Sequence, residues 1–230
     1  MILARLTPVF TFIAFILLLL VSLSAPIIKS IYLFKLSAIV SAGSSVFSAK
    51  ANGQVDFGVW GYCVSAITVA VAGINRNTAA QCSPKHLGYT FDSTVAHALN
   101  ADEIEHVISK TSTAALVLHP IAAALAFLTL LSSLFILRRG SNGTSRLPSF
   151  CTLGVGLVAT ILTTIIFLID VILVAVVRKR VKNVSDGALS LNWGNAVWLT
   201  LGATVALWLA MLGSCCGIFS RGRRSKPETY

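Results

Sequence analysis

The sequence predicts an all-α membrane protein, namely a four-transmembrane-helix bundle with a small extracellular β-sheet. Of its 230 residues, 56% are hydrophobic and 11% are charged, whereas a soluble domain carries roughly a quarter charged residues. Four apolar stretches reach the length of about 20 residues that a helix needs to cross the hydrocarbon core. The net charge of +10 lies mainly in short clusters beside these stretches, which is typical of membrane-span edges and not of a nucleic-acid surface.

We predict one domain, residues 1–230, that crosses the membrane four times. Each span should be helical because backbone groups in lipid must find their hydrogen-bond partners within the segment. The predicted parts, in chain order, are a span at about 7–28, an extracellular loop at 29–111, spans at about 112–137, 150–177 and 194–218, and a cytoplasmic tail at 219–230.

The first span has an alternative interpretation as a cleaved signal peptide. The apolar run and three small residues near its end fit that interpretation: Ser22, Ser24 and Ala25. The run is long for a signal peptide, however, and Pro26 would follow the best cleavage site. We therefore expect an uncleaved membrane anchor.

Lys and Arg in the short loops orient the chain, because these residues concentrate on the cytoplasmic side. With both termini in the cytoplasm, eight such residues lie inside and four lie outside, so we predict this orientation. The four outer residues conflict with the rule; they are Arg178, Lys179, Arg180 and Lys182. A third helix that continues past the lipid would carry these charges clear of the membrane.

Cys63 and Cys82 both lie in the extracellular loop, where an oxidising environment permits a disulfide between them. They are the two cysteines of that loop, so one intramolecular pairing is available. Such a bridge would stabilise the fold by roughly 3 kcal/mol in the chain-entropy description. The alternative is a pair of buried free thiols.

Modification sites follow from the same topology. Cys151, Cys215 and Cys216 lie at the inner ends of the last two spans, where palmitoylation and packing as small apolar residues are equal alternatives. Asn183 opens an Asn-Val-Ser sequon on the outer side and is a candidate for N-glycosylation. A second sequon, at Asn142, would face the cytoplasm, so a glycan there would overturn the orientation.

The extracellular loop should contain both strands and the start of a helix. Ile31–Ser37 and Val55–Ala72 are rich in β-branched and aromatic residues, and we predict strands there. Asn100 can cap a helix, with Glu103 in its first turn. Nothing between Ala101 and His119 breaks a helix, so the second span should project outward as one continuous helix.

Several short segments recur in a recognisable order along the chain. The extracellular loop contains Gly58-Val59-Trp60-Gly61-Tyr62-Cys63, a second cysteine at Cys82, and Leu87-Gly88-Tyr89. Asp170 lies in the third span, Arg178-Lys179-Arg180-Val181 follows it, and Leu191-Asn192-Trp193-Gly194-Asn195-Ala196-Val197-Trp198 opens the fourth. Together these segments resemble the fungal PalI family over nearly the whole chain. The Gly-x-Trp-x-x-Cys element is also similar to that of claudin-like four-span proteins.

The resemblance implies a multi-pass fungal plasma-membrane protein with a claudin-like fold and no catalytic activity. Some members of the family assist the receptor that senses ambient alkaline pH, and relatives populate eisosomes, which are static furrowed membrane domains. We therefore expect an accessory component or regulator of the alkaline pH response that acts by lateral contacts. The alternatives are a structural organiser of static membrane domains and a small-solute transporter or channel subunit.

The expected partners are other plasma-membrane proteins, among them a pH-sensing receptor, together with lipids. A homo-oligomer is a further alternative, and no nucleic-acid partner is expected. No phosphate-cradling glycine-rich loop, histidine pair at metal spacing or serine elbow occurs in the sequence. We therefore predict that the protein is not an enzyme and uses no cofactor and no metal.

His119 and Asp170 are the two candidates for a pH-sensitive site within the spans. Ionisable residues inside a membrane are expensive and often functional. The second and third spans run antiparallel, and both residues lie roughly 8–10 Å below the outer boundary at 1.5 Å per residue, so we hypothesise that they pair. A carboxylate partner favours the protonated imidazole, which would make the pair a proton-sensitive latch. The alternative is that Asp170 bonds a hydroxyl or backbone group and only fixes packing.

Overall fold

The computed structural model describes residues 2–44, 47–65, 67–71, 74–84, 102–138, 147–184 and 189–222. These residues form four long helices and seven short strands. The helices are α1 (Ile2–Ser22), α2 (Asp102–Arg138), α3 (Leu147–Val184) and α4 (Asn195–Gly222). The strands are β1 (Phe34–Ser44), β2 (Phe47–Phe57), β3 (Tyr62–Val64), β4 (Ile67–Val71), β5 (Ile74–Thr78), β6 (Gln81–Cys82) and β7 (Leu189–Trp193).

Three of the helices are long and apolar enough to cross a membrane. The qualifying stretches are Leu116–Phe135 in α2, Thr152–Asn183 in α3 and Asn195–Cys215 in α4. The apolar stretch of α1 is shorter and covers Leu6–Ser22. The prediction of a mostly helical protein with a small antiparallel sheet is therefore confirmed.

α1 ends at Ser22, before the predicted end of the first span near residue 28. Pro26 disfavours a helical conformation in the residue before it, because its ring crowds the preceding backbone. The chain instead folds into tight turns, closed by hydrogen bonds from the amides of Ala25 and Ile28 to the carbonyls of Ile31 (2.9 Å) and Leu23 (3.0 Å).

The strands form one antiparallel sheet in the order β5-β4-β2-β1-β7, and β3 pairs with both β2 and β6. β1 lies between β2 and β7: Phe34 is opposite Phe57 of β2 on one side and opposite Trp193 of β7 on the other. The rings of Phe34 and Phe57 stack with centroids 4.6 Å apart, and Tyr62 adds a third ring 5.8 Å from Phe57. These rings give the sheet an aromatic core on the face where Phe34 and Phe57 are buried.

The observed strands differ from the predicted ones in three ways. The first begins at Phe34 and continues to Ser44, beyond the predicted end at Ser37. The predicted strand Val55–Ala72 is divided, because the chain turns after Phe57 and resumes as β3 and β4. Leu189–Trp193, which was not predicted as a strand, forms the edge strand β7. It pairs with β1, which lies far away along the chain.

The continuous helix predicted through the second span is confirmed, because α2 runs without interruption from Asp102 to Arg138. Its proposed cap, Asn100, lies outside the described residues. α3 likewise continues past Arg178 to Val184, as expected for a helix that carries its basic cluster beyond the apolar run.

The chain divides into two compact units. We call the first the helical unit; it comprises Met1–Leu19, His119–Phe167 and Leu199–Tyr230. We call the second the sheet unit; it comprises Leu20–Leu118 and Leu168–Trp198.

The helical unit has a core of small and hydroxyl-bearing side chains. Its fully buried residues include Ala14, Ala122, Ala126, Ala159, Ala203, Ala210, Thr11, Thr129, Thr160, Thr163 and Thr200. The hydroxyls of Thr129, Thr160 and Thr163 donate to the carbonyl four residues earlier at 2.7–2.8 Å. Because each donor is satisfied within its own helix, these threonines can be buried among alanines, as in membrane helix packing.

The outer surface of the helical unit is apolar. Large exposed side chains occur on all four helices and include Phe12, Phe127, Phe135, Ile161 and Leu212. A water-soluble domain rarely exposes so many contiguous apolar groups, whereas lipid accepts them. The small interior and large exterior side chains together match a membrane-embedded bundle.

Candidate functional site

The family-like motif at residues 58–63, which we call the motif turn, docks against the end of α1. The indole N–H of Trp60 donates to the carbonyl oxygen of Ser22 at 2.5 Å. Ser22 is the last residue of α1, and the last four carbonyls of a helix have no partner within it. Trp60 therefore satisfies one of the carbonyls that the end of α1 leaves open.

Two further hydrogen bonds fix the motif turn on the residues that follow α1. The backbone N–H of Val59 donates to the hydroxyl oxygen of Ser24 at 2.8 Å, and both residues are fully buried. The N–H of Trp60 donates to the carbonyl of Ala25 at 3.3 Å. The chain segment from Ser22 to Ala25 thus receives three bonds from two consecutive motif residues.

Gly58 allows this docking because it has no side chain. A Cβ at this position would lie 2.6 Å from the backbone nitrogen of Ala25 and closer still to its carbonyl oxygen. Backbone atoms cannot rotate away as the end of a flexible side chain can. The first glycine of the motif is therefore required by close backbone approach.

Gly61 and Ser83 close the other side of the motif turn. Gly61 has a φ of +152° and its carbonyl accepts the N–H of Gly58 at 2.8 Å. The N–H of Tyr62 donates to the Ser83 hydroxyl oxygen at 3.0 Å, and the N–H of Ser83 donates to the Tyr62 carbonyl at 2.9 Å. Ser83 thus fixes the second half of the motif through two hydrogen bonds to Tyr62.

The predicted disulfide joins Cys63 of β3 to Cys82 of β6. The two cysteines are also register partners in the sheet. The bridge joins two cysteines that are 19 positions apart in the sequence. It also holds Ser83, the residue after Cys82, beside the motif turn. Its expected contribution to stability is about 3 kcal/mol in the chain-entropy description.

The second family-like motif, at the start of α4, docks on the residues that lead into β1. The side-chain oxygen of Asn195 accepts the N–H of Tyr32 at 3.0 Å, and its amide donates to the Ser30 carbonyl at 2.7 Å. The N–H of Gly194 donates to the Leu33 carbonyl at 2.9 Å. The Asn195 side chain thereby supplies one acceptor and one donor to the backbone of residues 30–32, as a neighbouring strand would.

Both motifs therefore act on the segment from Ser22 to Leu33, which we call the linker segment. The motif turn fixes its first part, and Gly194 and Asn195 fix its last part. Three of the small residues that fitted a signal-peptide cleavage site, Ser22, Ser24 and Ala25, are contact points for the motif turn. We call the motif turn and the start of α4, with their hydrogen bonds to the linker segment, the brace. Its bonds join backbone groups and neutral side chains.

The described residues contain no group of three His, Cys, Asp or Glu side chains that could hold a metal ion. Lys35 and Asp56, which lie opposite each other on paired strands, form an ion pair at 4.0 Å. The ammonium of Lys35 also lies 4.8 Å from the ring centroid of Tyr32. These groups tie the sheet to the linker segment.

The two candidates for a pH-sensitive pair fall in different units. His119 is fully buried on α2 in the helical unit, and Asp170 is 4% exposed on α3 in the sheet unit. Neither residue is without an interaction partner. Their pairing with each other remains a prediction.

The candidate modification sites also remain predictions. Asn183 is exposed near the C-terminal end of α3. Cys215 is a half-buried free thiol on α4. The side chains of Cys151 and Cys216 lie outside the described set, as does the whole of the Leu87-Gly88-Tyr89 segment.

Sequence reasoning named the motif residues but missed the groups that receive them. Ser24, Ser30 and Ser83 carry the polar contacts of the brace, and nothing in their local sequence distinguishes them from other loop serines. The one available signal was the proline and the small residues at 22–26, which mark a sharp change of direction after α1.

Comparison with known proteins places these motifs in one family. Residues 4–210 match the profile of the SUR7/PalI family. A 166-residue stretch is 30% identical to the pH-response regulator protein palI/prr-5 of Neurospora crassa. That match covers 72% of this chain and 20% of the Neurospora protein, so the chain spans about a fifth of the length of that relative.

Replacing Gly58 by alanine should destabilise the protein, because the new methyl group would overlap the backbone of Ala25. We expect a loss of about 2 kcal/mol or more, which lowers Tm in detergent by roughly 4 °C or more. Gly154→Ala is the matched control, since nothing lies within 4 Å of a Cβ there, and helix propensity favours alanine. Equal Tm values for the two variants would contradict the docking of the motif turn.

Replacing Asn195 by aspartate should also destabilise the protein, by about 1 kcal/mol. The carboxylate can still accept the N–H of Tyr32 but cannot donate to the Ser30 carbonyl, which would face a negative charge. Asn192→Asp makes the same chemical change at an exposed position of β7 and should leave Tm within 1–2 °C of the parent, since surface changes are usually within about 0.5 kcal/mol. The idea fails if Asn192→Asp lowers Tm as much as Asn195→Asp.

Proposed function

The chain belongs to the SUR7/PalI family, and on that premise we propose that it is a non-catalytic plasma-membrane component of the PalI type. In this role it assists the response to ambient alkaline pH through lateral contacts with other membrane proteins. The observation that carries the proposal is the family match over residues 4–210, which includes both halves of the brace. The similarity to a Neurospora protein named as a pH-response regulator supports the same role.

We propose four membrane spans with both termini in the cytoplasm. The distribution of helix ends supports this arrangement: the sheet unit holds the C-terminal ends of α1 and α3 and the N-terminal ends of α2 and α4. Four successive crossings require this alternation. The apolar stretch Leu6–Ser22 of α1 reaches the lower end of the range of about 17–25 residues for a span.

The brace supports a structural role for the outer sheet rather than a chemical one. Its contacts are neutral hydrogen bonds and a disulfide, and they fix the linker segment between α1 and β1. A sheet held in this way presents a constant outer surface while the apolar helix faces remain available in the bilayer. Lateral association in membranes depends on such packing faces and not on a hydrophobic driving force.

The second candidate is a structural organiser of static plasma-membrane domains. The match covers 20% of the Neurospora regulator, so the role of that whole protein does not follow from it. The family name joins SUR7 with PalI, so family membership alone does not separate the two roles. Both predict a plasma-membrane protein without catalysis.

Loss of the protein should slow fungal growth at alkaline pH and leave growth at acidic pH unchanged, if the PalI-type role is correct. The parent chain and Gly154→Ala should restore alkaline growth. The double variant Cys63→Ser with Cys82→Ser should restore it less well, because it removes about 3 kcal/mol of stabilisation from the outer sheet. Growth rate at both pH values and surface abundance of each variant are the measurements.

The same strains distinguish the second candidate. Normal alkaline growth of the deletion strain, together with immobile fluorescent patches of the tagged parent chain, would replace the pH-response role by the static-domain role. Solute flux in proteoliposomes that contain this chain alone would instead support the transport alternative and refute both.

The topology has its own test in intact cells. Ala80 is exposed beside β6, so Ala80→Cys should react with a membrane-impermeant thiol reagent added outside. Lys226→Cys in the predicted cytoplasmic tail should react only after permeabilisation, and the parent chain supplies the background from its own cysteines. Labelling of Lys226→Cys in sealed cells, without labelling of Ala80→Cys, would reverse the orientation.

A further inference from the structure

α3 carries a row of exposed aliphatic side chains along one face. It is a single helix from Leu147 to Val184. We call five of its exposed residues the α3 seam: Val158, Ile161, Ile165, Leu168 and Ile172. Their exposed fractions lie between 45% and 60%. Because the intervals between them alternate between three and four residues, all five lie on one side of the helix.

The opposite face of α3 packs within the helical unit. Gly156, Ala159 and Thr163 are buried there, and a Cβ on Gly156 would meet the side chains of Thr129 on α2 and Met211 on α4. In the apolar window of each span, 28% of α3 is buried, against 44% in α2 and 56% in α4. Of these three spans, α3 is therefore the one least covered by its own chain.

The α3 seam differs in composition from the exposed faces of the other helices. Those faces include the aromatic rings of Phe12, Phe127, Phe135, Trp198 and Trp208. Every exposed large apolar side chain described on α3 is aliphatic. Four of the five seam residues are Val or Ile, and a branched Cβ leaves essentially one χ1 rotamer in a helix. Little side-chain freedom is then lost on packing, which favours contact with another helix.

The spacing of the seam indicates what kind of helix fits it. Val158, Ile165 and Ile172 recur every seven residues, and Ile161 and Leu168 lie three residues after the first two. This is the a/d repeat of a left-handed pair of helices, which is the usual crossing in membrane bundles. β-branched residues at the a positions together with leucine at d favour two strands. The fitting partner is therefore a parallel helix with the same repeat.

A second copy of this chain supplies such a helix at the same depth. Copies inserted in the same way hold their α3 helices parallel, so a two-fold axis places each seam residue opposite its own counterpart. From Val158 to Ile172 the seam extends about 21 Å along the helix, within a hydrocarbon core of about 30 Å. Lys179 is the residue seven positions after Ile172. It would face a like charge in such a pair, so the packing ends before it.

The area of the seam determines how strong such a pair can be. A strip about 21 Å long and 10–12 Å wide, the diameter of a helix with its side chains, covers roughly 200–250 Å² on each copy. Stable complexes in water bury about 800 Å² on each partner, so the seam alone supports a reversible pair. Insertion in one membrane aids the pair, because the two helices are already confined and aligned before they meet.

We propose that the protein forms a reversible homodimer in the membrane, in which the α3 seams of two copies pack together as parallel helices. The dimer supplies one of the lateral contacts of the proposed function. It rests on that proposal only in taking all copies to cross the membrane in the same direction. In the dimer, Ile161 and Leu168 of each copy lie beside the same residues of the other copy.

Cysteine cross-linking in cell membranes tests the dimer. Ile161→Cys and Leu168→Cys should each form a disulfide-linked product of twice the chain mass under mild oxidation, because a disulfide needs Cβ atoms about 3.5–4.5 Å apart. Leu128→Cys on α2 is the matched control, since Leu128 and Leu168 are 50% and 52% exposed. The control should form little more of this product than the parent chain, which gives the background from its own cysteines.

Truncation of the seam gives a second measurement. Ile165→Ala with Leu168→Ala should raise the dissociation constant of the dimer by about tenfold or more, because packed side chains are removed from both copies. Leu128→Ala with Val205→Ala removes similarly exposed side chains from α2 and α4 and should leave the constant unchanged. Energy transfer between donor- and acceptor-labelled copies of the full chain in phosphatidylcholine liposomes measures both constants.

The proposal is overturned if Leu168→Cys cross-links no more than Leu128→Cys, because that result indicates random collision in the bilayer. Equal dissociation constants for the two double-alanine variants also overturn it. A cross-link from Leu168→Cys to a different membrane protein, without the doubled product, would assign the seam to that other partner instead. Neither measurement depends on alkaline growth, so the dimer and the pH-response role can fail separately.

Discussion

The structure of the sheet unit depends on how the unpaired carbonyls at the end of α1 find hydrogen-bond donors. The Trp60 indole supplies one donor, to the Ser22 carbonyl. A helix that stops must have its final carbonyls satisfied, and burial of an unsatisfied group costs about 1–3 kcal/mol. Here the partner comes from the motif turn, 38 residues away in sequence. The same contact therefore joins the end of α1 to the motif turn, from which the chain continues into β3. The Cys63–Cys82 bridge and the Asn195 amide then hold the elements on either side.

The two units meet the requirements of the membrane by different means. In the helical unit, buried threonines bond to their own helix backbone and alanines allow close packing. In the sheet unit, hydrogen bonds run between segments that are distant in sequence, as from Asn195 to Ser30. The first kind of packing depends on local periodicity, and the second depends on the folded topology. This difference also separates what could be predicted from what could not.

The apolar helices, the continuous α2 and the disulfide could be predicted because each leaves a local signal: hydropathy, the absence of breakers and the number of cysteines in one loop. The motif residues Gly58, Trp60 and Asn195 could be identified only by resemblance, and their function as a brace could not. That function depends on serines such as Ser24 and Ser83, which are ordinary loop residues until the chain is folded. β7 was missed for a similar reason, since its pairing partner β1 is separated from it along the chain by the helices α2 and α3.

The pairing of β1 with β7 also imposes an order on biosynthesis. β1 leaves the ribosome early, but the strand that covers its free edge is made only after α2 and α3. Until then Phe34–Ala38 presents an open edge of backbone donors and acceptors, which is a surface prone to wrong pairing. A nascent or truncated chain that ends before Leu189 therefore keeps this edge of β1 unpaired. Synthesis of β7 then supplies the backbone partners that cover this edge.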